Sequence, residues 1–257
     1  MVGIFIFLFG LIIGSFLNYV VYRLSLEGHS FYKDFINIKS RSYCPHCKHS
    51  LSWKDLFPVL SFIFLQGRCR YCNKKISWQY PIVEISTALL FLFIYYQNAP
   101  VIDTIFMLYI VSVLIIIFAF DLKHYLIPDK ILFPAICISI VYNICLNPAL
   151  FLNHVVAALL ASLFFLIIYL VSKGAWMGFG DVKLAILLGL ILGFPNILAG
   201  MFLAFCLGAI IGLVIILLGK KGLKSEVPFA PFLITGTLIA LFWGQSIVNW
   251  YLHLFIL

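Results

Sequence analysis

The stretch Gly178–Asn196, GFGDVKLAILLGLILGFPN, holds one acid between apolar runs, and its reading decides how often the chain crosses a membrane. From Leu184 to Phe194 there are eleven apolar residues before Pro195. At about 1.5 Å per residue they cover roughly 17 Å of a hydrocarbon core roughly 30 Å thick. To cross, this helix must begin near Trp176 or Met177, which carries Asp181 into its first turns. The rest of the chain is as apolar. Of 257 residues, 64% are hydrophobic and 10% charged, and the mean hydropathy is +1.14. Soluble domains carry about 25% charged residues. A water-soluble core cannot hide this much apolar surface, so the chain reads as an all-α polytopic membrane protein. About eight transmembrane helices are predicted, at 3–22, 79–97, 104–121, 130–147, 151–172, 177–196, 197–219 and 230–254. The first apolar run, Ile4 to Val21, has no basic residue before it and no small-residue cleavage pattern after it, so it reads as a retained span.

Charge supports an even number of spans. Ten of the seventeen Lys and Arg residues lie between Arg23 and Lys75, and the others fall in alternate gaps. With eight spans all seventeen lie on one side, which the positive-inside rule makes the cytoplasm, and both termini lie outside. These cations suit anionic lipid headgroups, at about 1 kcal/mol each when close, rather than nucleic acid. The expected domains are 1–23, a first transmembrane helix; 24–78, a small cytoplasmic domain; and 79–257, a seven-helix membrane domain.

The 24–78 segment is too small for a large hydrophobic core and needs a staple. Cys44-Pro45-His46-Cys47 and Cys69-Arg70-Tyr71-Cys72 form two CxxC pairs, separated by 21 residues. Four thiolates in this spacing suit tetrahedral zinc. A redox CxxC is the alternative, but no βαβ pattern surrounds it. Structural disulfides are another, disfavoured by the cytoplasmic placement. Cys137, Cys145 and Cys206 fall within spans and read as small buried hydrophobes.

Asp121 and Asp181 are the acids at the ends of spans. One reading makes them ordinary interfacial residues, and for Asp181 a helix N-terminus gives a specific reason. The other makes them a pair that cannot easily both ionise and so shares a proton, one acting as base on a water and one as acid toward a carbonyl. That is peptide hydrolysis without a metal. Gly178 and Gly180 would let backbone approach closely. Gly10 and Gly14 form a small-xxx-small pair, with Ser15 and Asn18 able to hydrogen-bond across helices. Glu84 reads either as a helix-end acid or as a site group paired with Arg23.

Taken together, GSFLNYVVYRL (Gly14–Leu24), the CxxC pairs, FPVLSFIFLQGRCRYC (Phe57–Cys72), ISWQYPIVEIS (Ile76–Ser86), FDLKHYLIPD (Phe120–Asp129), GFGDVK and PFAPFL (Pro228–Leu233) make the chain resemble a family. It is the type IV prepilin peptidases, GxGD-type bacterial membrane aspartyl proteases. The resemblance implies catalysis by Asp121 and Asp181 in the bacterial inner membrane. The implied substrates are prepilins and pseudopilins, whose short basic leader is cut after a Gly at the cytoplasmic face. It also implies N-methylation of the new terminus from S-adenosylmethionine, with Gly67 in the region tied to methyl transfer. The chain departs from the family pattern at Asp55–Pro58 and at Ala230. Asp129, Glu27 and Asp34 are candidates to meet the basic leader. The alternative from another class is a transporter or proton-conducting protein that relays protons through paired acids. It predicts acids spread through the membrane depth.

Overall fold

The computed structural model describes residues 2–25, 42–218 and 228–256. Glu27 and Asp34 lie outside the described residues. The described elements are helical, with two isolated β-bridges, Tyr43 to Ser50 and Arg68 to Lys75. Contacts divide the chain into two units, Met1–Ala119 and Phe120–Leu257.

In the first unit, α1 (Val2–Leu24) packs on α3 (Gln79–Tyr96), and a short α2 (Leu60–Phe64) lies in the intervening segment. The α1–α3 approach is closest at the two glycines that the sequence singles out. A Cβ on Gly10 would sit 2.6 Å from Ala88 Cα, and one on Gly14 would sit 2.6 Å from Glu84 Cα. Water does not drive helices together inside a bilayer, so small residues that permit backbone contact supply the packing. Polar side chains add to it. Asn18 Nδ2 donates to the Tyr80 carbonyl at 3.0 Å, and Ser15 bonds to Glu84.

α4 (Val101–His124) opens with Asp103 in its first turn and closes with Lys123 and His124 in its last, matching the helix dipole. The second unit holds α5 (Asp129–Leu146), α6 (Pro148–Ser172), α7 (Phe179–Leu192), α8 (Asn196–Leu217) and α9 (Ala230–Ile256). Seven of the helices are long and apolar enough to cross a membrane. The outward residues of these helices are largely apolar, as lipid contact requires. Cys137 and Cys145 are among the exposed residues and Cys206 is half-buried, so the expectation of buried cysteines fails. Facing lipid costs a thiol little, so burial is not required.

The sixth expected span is the one that differs. α7 has 14 residues rather than the predicted 177–196, and at 1.5 Å per residue it is roughly 21 Å long. It ends where Gly193 turns to φ +61°, a left-handed value that favours glycine. A helix that stops short leaves carbonyls without partners. Here the neighbouring helices supply them. Asn143 Nδ2 donates to the Leu190 carbonyl at 3.0 Å, and His154 Nδ1 lies 2.8 Å from the same oxygen. The Phe194 N–H donates to Asn153 Oδ1 at 2.6 Å. α7 is therefore an inner helix, and ten of its residues, including Asp181, are buried against α5, α6 and α9.

The α6–α7 contact is tighter still. A Cβ on Gly189 would lie 2.3 Å from Ala158 Cα and 2.5 Å from Ala158 N, both backbone atoms that cannot rotate away. Gly189→Ala is therefore expected to push the helices apart. Overpacking of this kind costs about 1–3 kcal/mol or more. Thermal unfolding in detergent should show a clear fall in Tm, whereas Gly212→Ala, where a Cβ meets nothing within 4 Å, should not. Equal Tm values for the two variants would refute the close packing.

Candidate active site and metal centre

Asp121 and Asp181 both belong to the second unit. Asp121 sits in the last turn of α4, where its carbonyl accepts from the Tyr125 N–H at 2.9 Å. Asp181 sits in the first turn of α7, and its N–H donates to the Gly178 carbonyl at 3.2 Å. Both side chains are buried, at 5% and 7% exposure. Asp121 Oδ2 has no hydrogen-bond partner among the described residues. The two carboxylates lie within range of each other's charge.

Two contacts bind the chain after Asp121 to the chain around Asp181. A Cβ on Gly180 would meet the Ile127 side chain at 3.2 Å, so the absent side chain is what lets the Tyr125–Pro128 turn lie against the motif. Asp129 pairs with Lys183, whose ammonium also lies 5.7 Å from the Phe133 ring centroid and 5.8 Å from that of Phe179. Asp129, a candidate to meet a basic leader, is thus paired with Lys183 in this structure while staying half-exposed. Gly178 keeps the space beside Asp181 open: its Cβ would lie 3.9 Å from Asp181 Oδ2. Paired, buried and partly unpartnered carboxylates of this kind can hold and exchange a proton with a water between them.

The first unit carries the cysteines. The Sγ atoms of Cys44, Cys47, Cys69 and Cys72 all lie within 4.8 Å of one another. Cys44 and Cys72 are 3.9 Å apart at sulfur, far beyond the roughly 2.05 Å of a disulfide. Tetrahedral ligands at about 2.3 Å from one ion sit about 3.8 Å apart. The cluster can therefore hold a metal ion. The two knuckles are built alike. The Cys44 N–H donates to the His49 carbonyl at 3.0 Å, as that of Cys69 does to Lys74 at 2.9 Å. Lys48 and Asn73, the residues after the second cysteine of each pair, both take positive φ, 56° and 59°. Each knuckle closes with one β-bridge. This repetition was visible in the sequence as YCPHCKHS against RCRYCNKK, though the sequence reading used only its cysteines.

The thiols are unequal. Burial works against a Cys44 thiolate, but N–H groups of Cys47 and His46 outweigh it and lower that thiol to about 7. At Cys72 the Lys74 N–H favours the thiolate, but burial and the sulfurs of Cys69, Cys47 and Cys44 raise that thiol to about 11. Four thiolates side by side need a cation between them. Asp55 ties the segment together: it accepts from Arg70 Nε at 2.7 Å and from the Ser52 hydroxyl at 2.8 Å. Burial opposes its charge, but the Ser52 and Arg70 partners hold its carboxyl below the usual range.

Gly67 and Glu84 receive local roles. Gly67 has φ +67°, and a Cβ there would meet Phe62 at 3.1 Å, so the turn out of α2 requires glycine. Glu84 Oε2 accepts from the Val59 N–H at 2.8 Å. Val59 has φ +59°, costly for a β-branched residue, and this bond helps hold it there. Glu84 is not paired with Arg23. Its partners are Val59 and Ser15.

Comparison with known proteins agrees with this layout. The family model of the bacterial peptidase A24 N-terminal domain matches residues 8–98, and that of the type IV leader peptidase family matches residues 108–213. A prepilin leader peptidase/N-methyltransferase of Aeromonas hydrophila is 34% identical over 98% of this chain and 94% of the relative. The chain belongs to the type IV leader peptidase family. One of the same description from Legionella pneumophila is 34% identical over 95% of this chain and 92% of the relative. Another, from Bacillus subtilis strain 168, is 30% identical over 97% of both. No solved structure matches the chain. The chain is thus a multi-pass membrane enzyme of a protease family, and the resemblance read from its motifs holds from end to end.

Proposed function

We propose that this membrane protein is an aspartyl endopeptidase that removes the basic leader of type IV prepilins and pseudopilins, and that Asp121 and Asp181 perform the hydrolysis. The observation that carries the reading is the pair itself: two buried carboxylates in one unit, within reach of each other's charge, one with an unpartnered oxygen. One carboxylate takes a proton from water as the water oxygen attacks the scissile carbonyl. The other, protonated, donates to the carbonyl oxygen. Collapse of the tetrahedral species then breaks the C–N bond, and the leaving nitrogen takes a proton from the dyad. Gly178 and Gly180 leave room for the substrate backbone beside Asp181.

Cys44, Cys47, Cys69 and Cys72 would hold a structural zinc ion, which supplies the staple that the segment otherwise lacks. The family resemblance supports a bacterial inner-membrane placement, and the positive-inside distribution supports its orientation. The 24–78 domain and both aspartates would face the cytoplasm, with the termini outside and the basic residues against lipid headgroups rather than nucleic acid. The division into 1–23, 24–78 and 79–257 belongs to the same reading. The names of the relatives support a second activity, N-methylation of the new N-terminus. S-adenosylmethionine would supply the methyl group as an electrophile, and the turn at Gly67 would lie in the region that serves the transfer.

Purified protein incubated with a prepilin tests both halves. The product should lose its leader after Gly, and with S-adenosylmethionine its new terminus should gain the mass of one methyl group. Intact substrate under both conditions would sink the peptidase reading.

A further inference from the structure

Of the polar groups that the peptidase and metal chemistry leave unused in the first unit, Glu84 is satisfied among the described residues and Arg23 is not. Arg23 lies in the last turn of α1. Its guanidinium carbon is 5.1 Å from the Tyr19 ring centroid and 5.9 Å from that of Tyr43. Its Nε and Nη2 atoms are both buried, and neither has a hydrogen-bond partner among the described residues. These two nitrogens share one edge of the guanidinium. It is the edge that takes a carboxylate side-on through two parallel hydrogen bonds. A buried cation edge without a partner is costly, so it points to an anion. Among the described acids of the first unit, Glu84 is engaged with Val59 and Ser15, and Asp55 with Arg70 and Ser52.

We propose that Arg23 binds the carboxylate of S-adenosylmethionine, seating the methyl donor between the end of α1 and the first cysteine knuckle. The proposal rests on the methyl-transfer reading above. One feature favours a donor carboxylate over a lipid phosphate. Tyr43, whose ring centroid lies 5.9 Å from the guanidinium carbon, directly precedes Cys44, so the cation stands beside the cysteine segment to which the methyl-transfer reading assigns the donor. Arg23 is a binding residue in this account and takes no part in moving the methyl group.

Decarboxylated S-adenosylmethionine, which keeps the sulfonium and the adenosine, isolates the contact. Equilibrium dialysis on the full-length chain in neutral detergent should show the parent donor bound about 100-fold more tightly than the decarboxylated one, about 2.7 kcal/mol. Arg23→Gln should abolish that preference and leave the affinity for the decarboxylated compound unchanged, which also shows that the variant is folded. Arg23→Lys, a point charge without the fork, should keep only part of the preference. Should Arg23→Gln bind neither compound, the wild-type preference and the Arg23→Lys value decide. Equal affinities of the wild type for the two compounds would overturn the proposal. So would an unchanged preference in Arg23→Gln, the result expected if a carboxylate of the chain itself occupies the edge. A third overturning result is Arg23-dependent binding to phosphatidylglycerol vesicles with no change in donor affinity, which would assign the edge to lipid. A wild type that methylates product but shows no preference removes Arg23 alone. A wild type that cleaves prepilin yet neither binds the donor nor methylates removes the methyl-transfer reading with it.

Discussion

Asp121→Asn and Asp181→Asn are each expected to abolish leader cleavage, lowering the rate by about 10³-fold or more. The amide keeps the shape of the carboxyl and can still hydrogen-bond. It cannot accept a proton from water or deliver one to a leaving nitrogen. General acid–base catalysis contributes roughly 10²–10⁴-fold, and a dyad that shares one proton loses both roles when either member goes. The double variant should therefore be little worse than either single one, because the residues act as a unit. Both side chains are buried in one unit, and neither forms an ion pair among the described residues, so the substitutions should leave the fold intact. The assay is single-turnover cleavage of a prepilin, with thermal unfolding to confirm folding. Appreciable cleavage by either variant would refute the dyad.

Removal of metal is expected to unfold the cysteine segment outright. Between Ser42 and Trp78 the buried apolar residues are Cys44 and Cys69 themselves, so no hydrophobic core stands in for the ion. Structural zinc in small domains supplies about 10–16 kcal/mol at neutral pH, more than the two β-bridges and the Asp55 network can replace. Native protein should contain one zinc per chain by atomic absorption. Chelation or Cys69→Ser should expose the 42–78 segment to limited proteolysis, while the membrane helices stay protected. A segment that resists protease after the metal is gone would show that the thiols fold it unaided.

Much of this was legible in the residues because the causes are local. Hydrophobic runs of membrane length announce spans, since no other placement satisfies both the side chains and the backbone. Gly10 and Gly14, at i and i+4, announce a helix contact because they fall on one face, and α3 meets them there. Two CxxC pairs announce a metal site because ligand spacing is set within each loop. Asp181 falls in its helix's first turn, as the length argument placed it, although the helix begins at Phe179 rather than near Trp176 or Met177.

The far end of that same helix was not legible. The sequence argument required α7 to span, and extended it to 177–196. The structure stops it at Leu192, because Asn143, His154 and Asn153, from helices distant in sequence, take up the polar groups at its end. A helix can be short in a membrane only where other helices satisfy its terminal backbone, and sequence does not state those long-range partners. The same limit applied to Arg23 and Glu84. The sequence left Glu84 either a helix-end acid or a partner of Arg23, and helix geometry gave Glu84 to Val59 and Ser15 and placed Arg23 beside two tyrosines. The sequence by itself determined the class of protein, most of its spans and the residues proposed to carry its chemistry, because composition and local spacing control those. Which polar group meets which, and so where the short helix ends and which charge is left to bind a ligand, was decided by packing between distant segments.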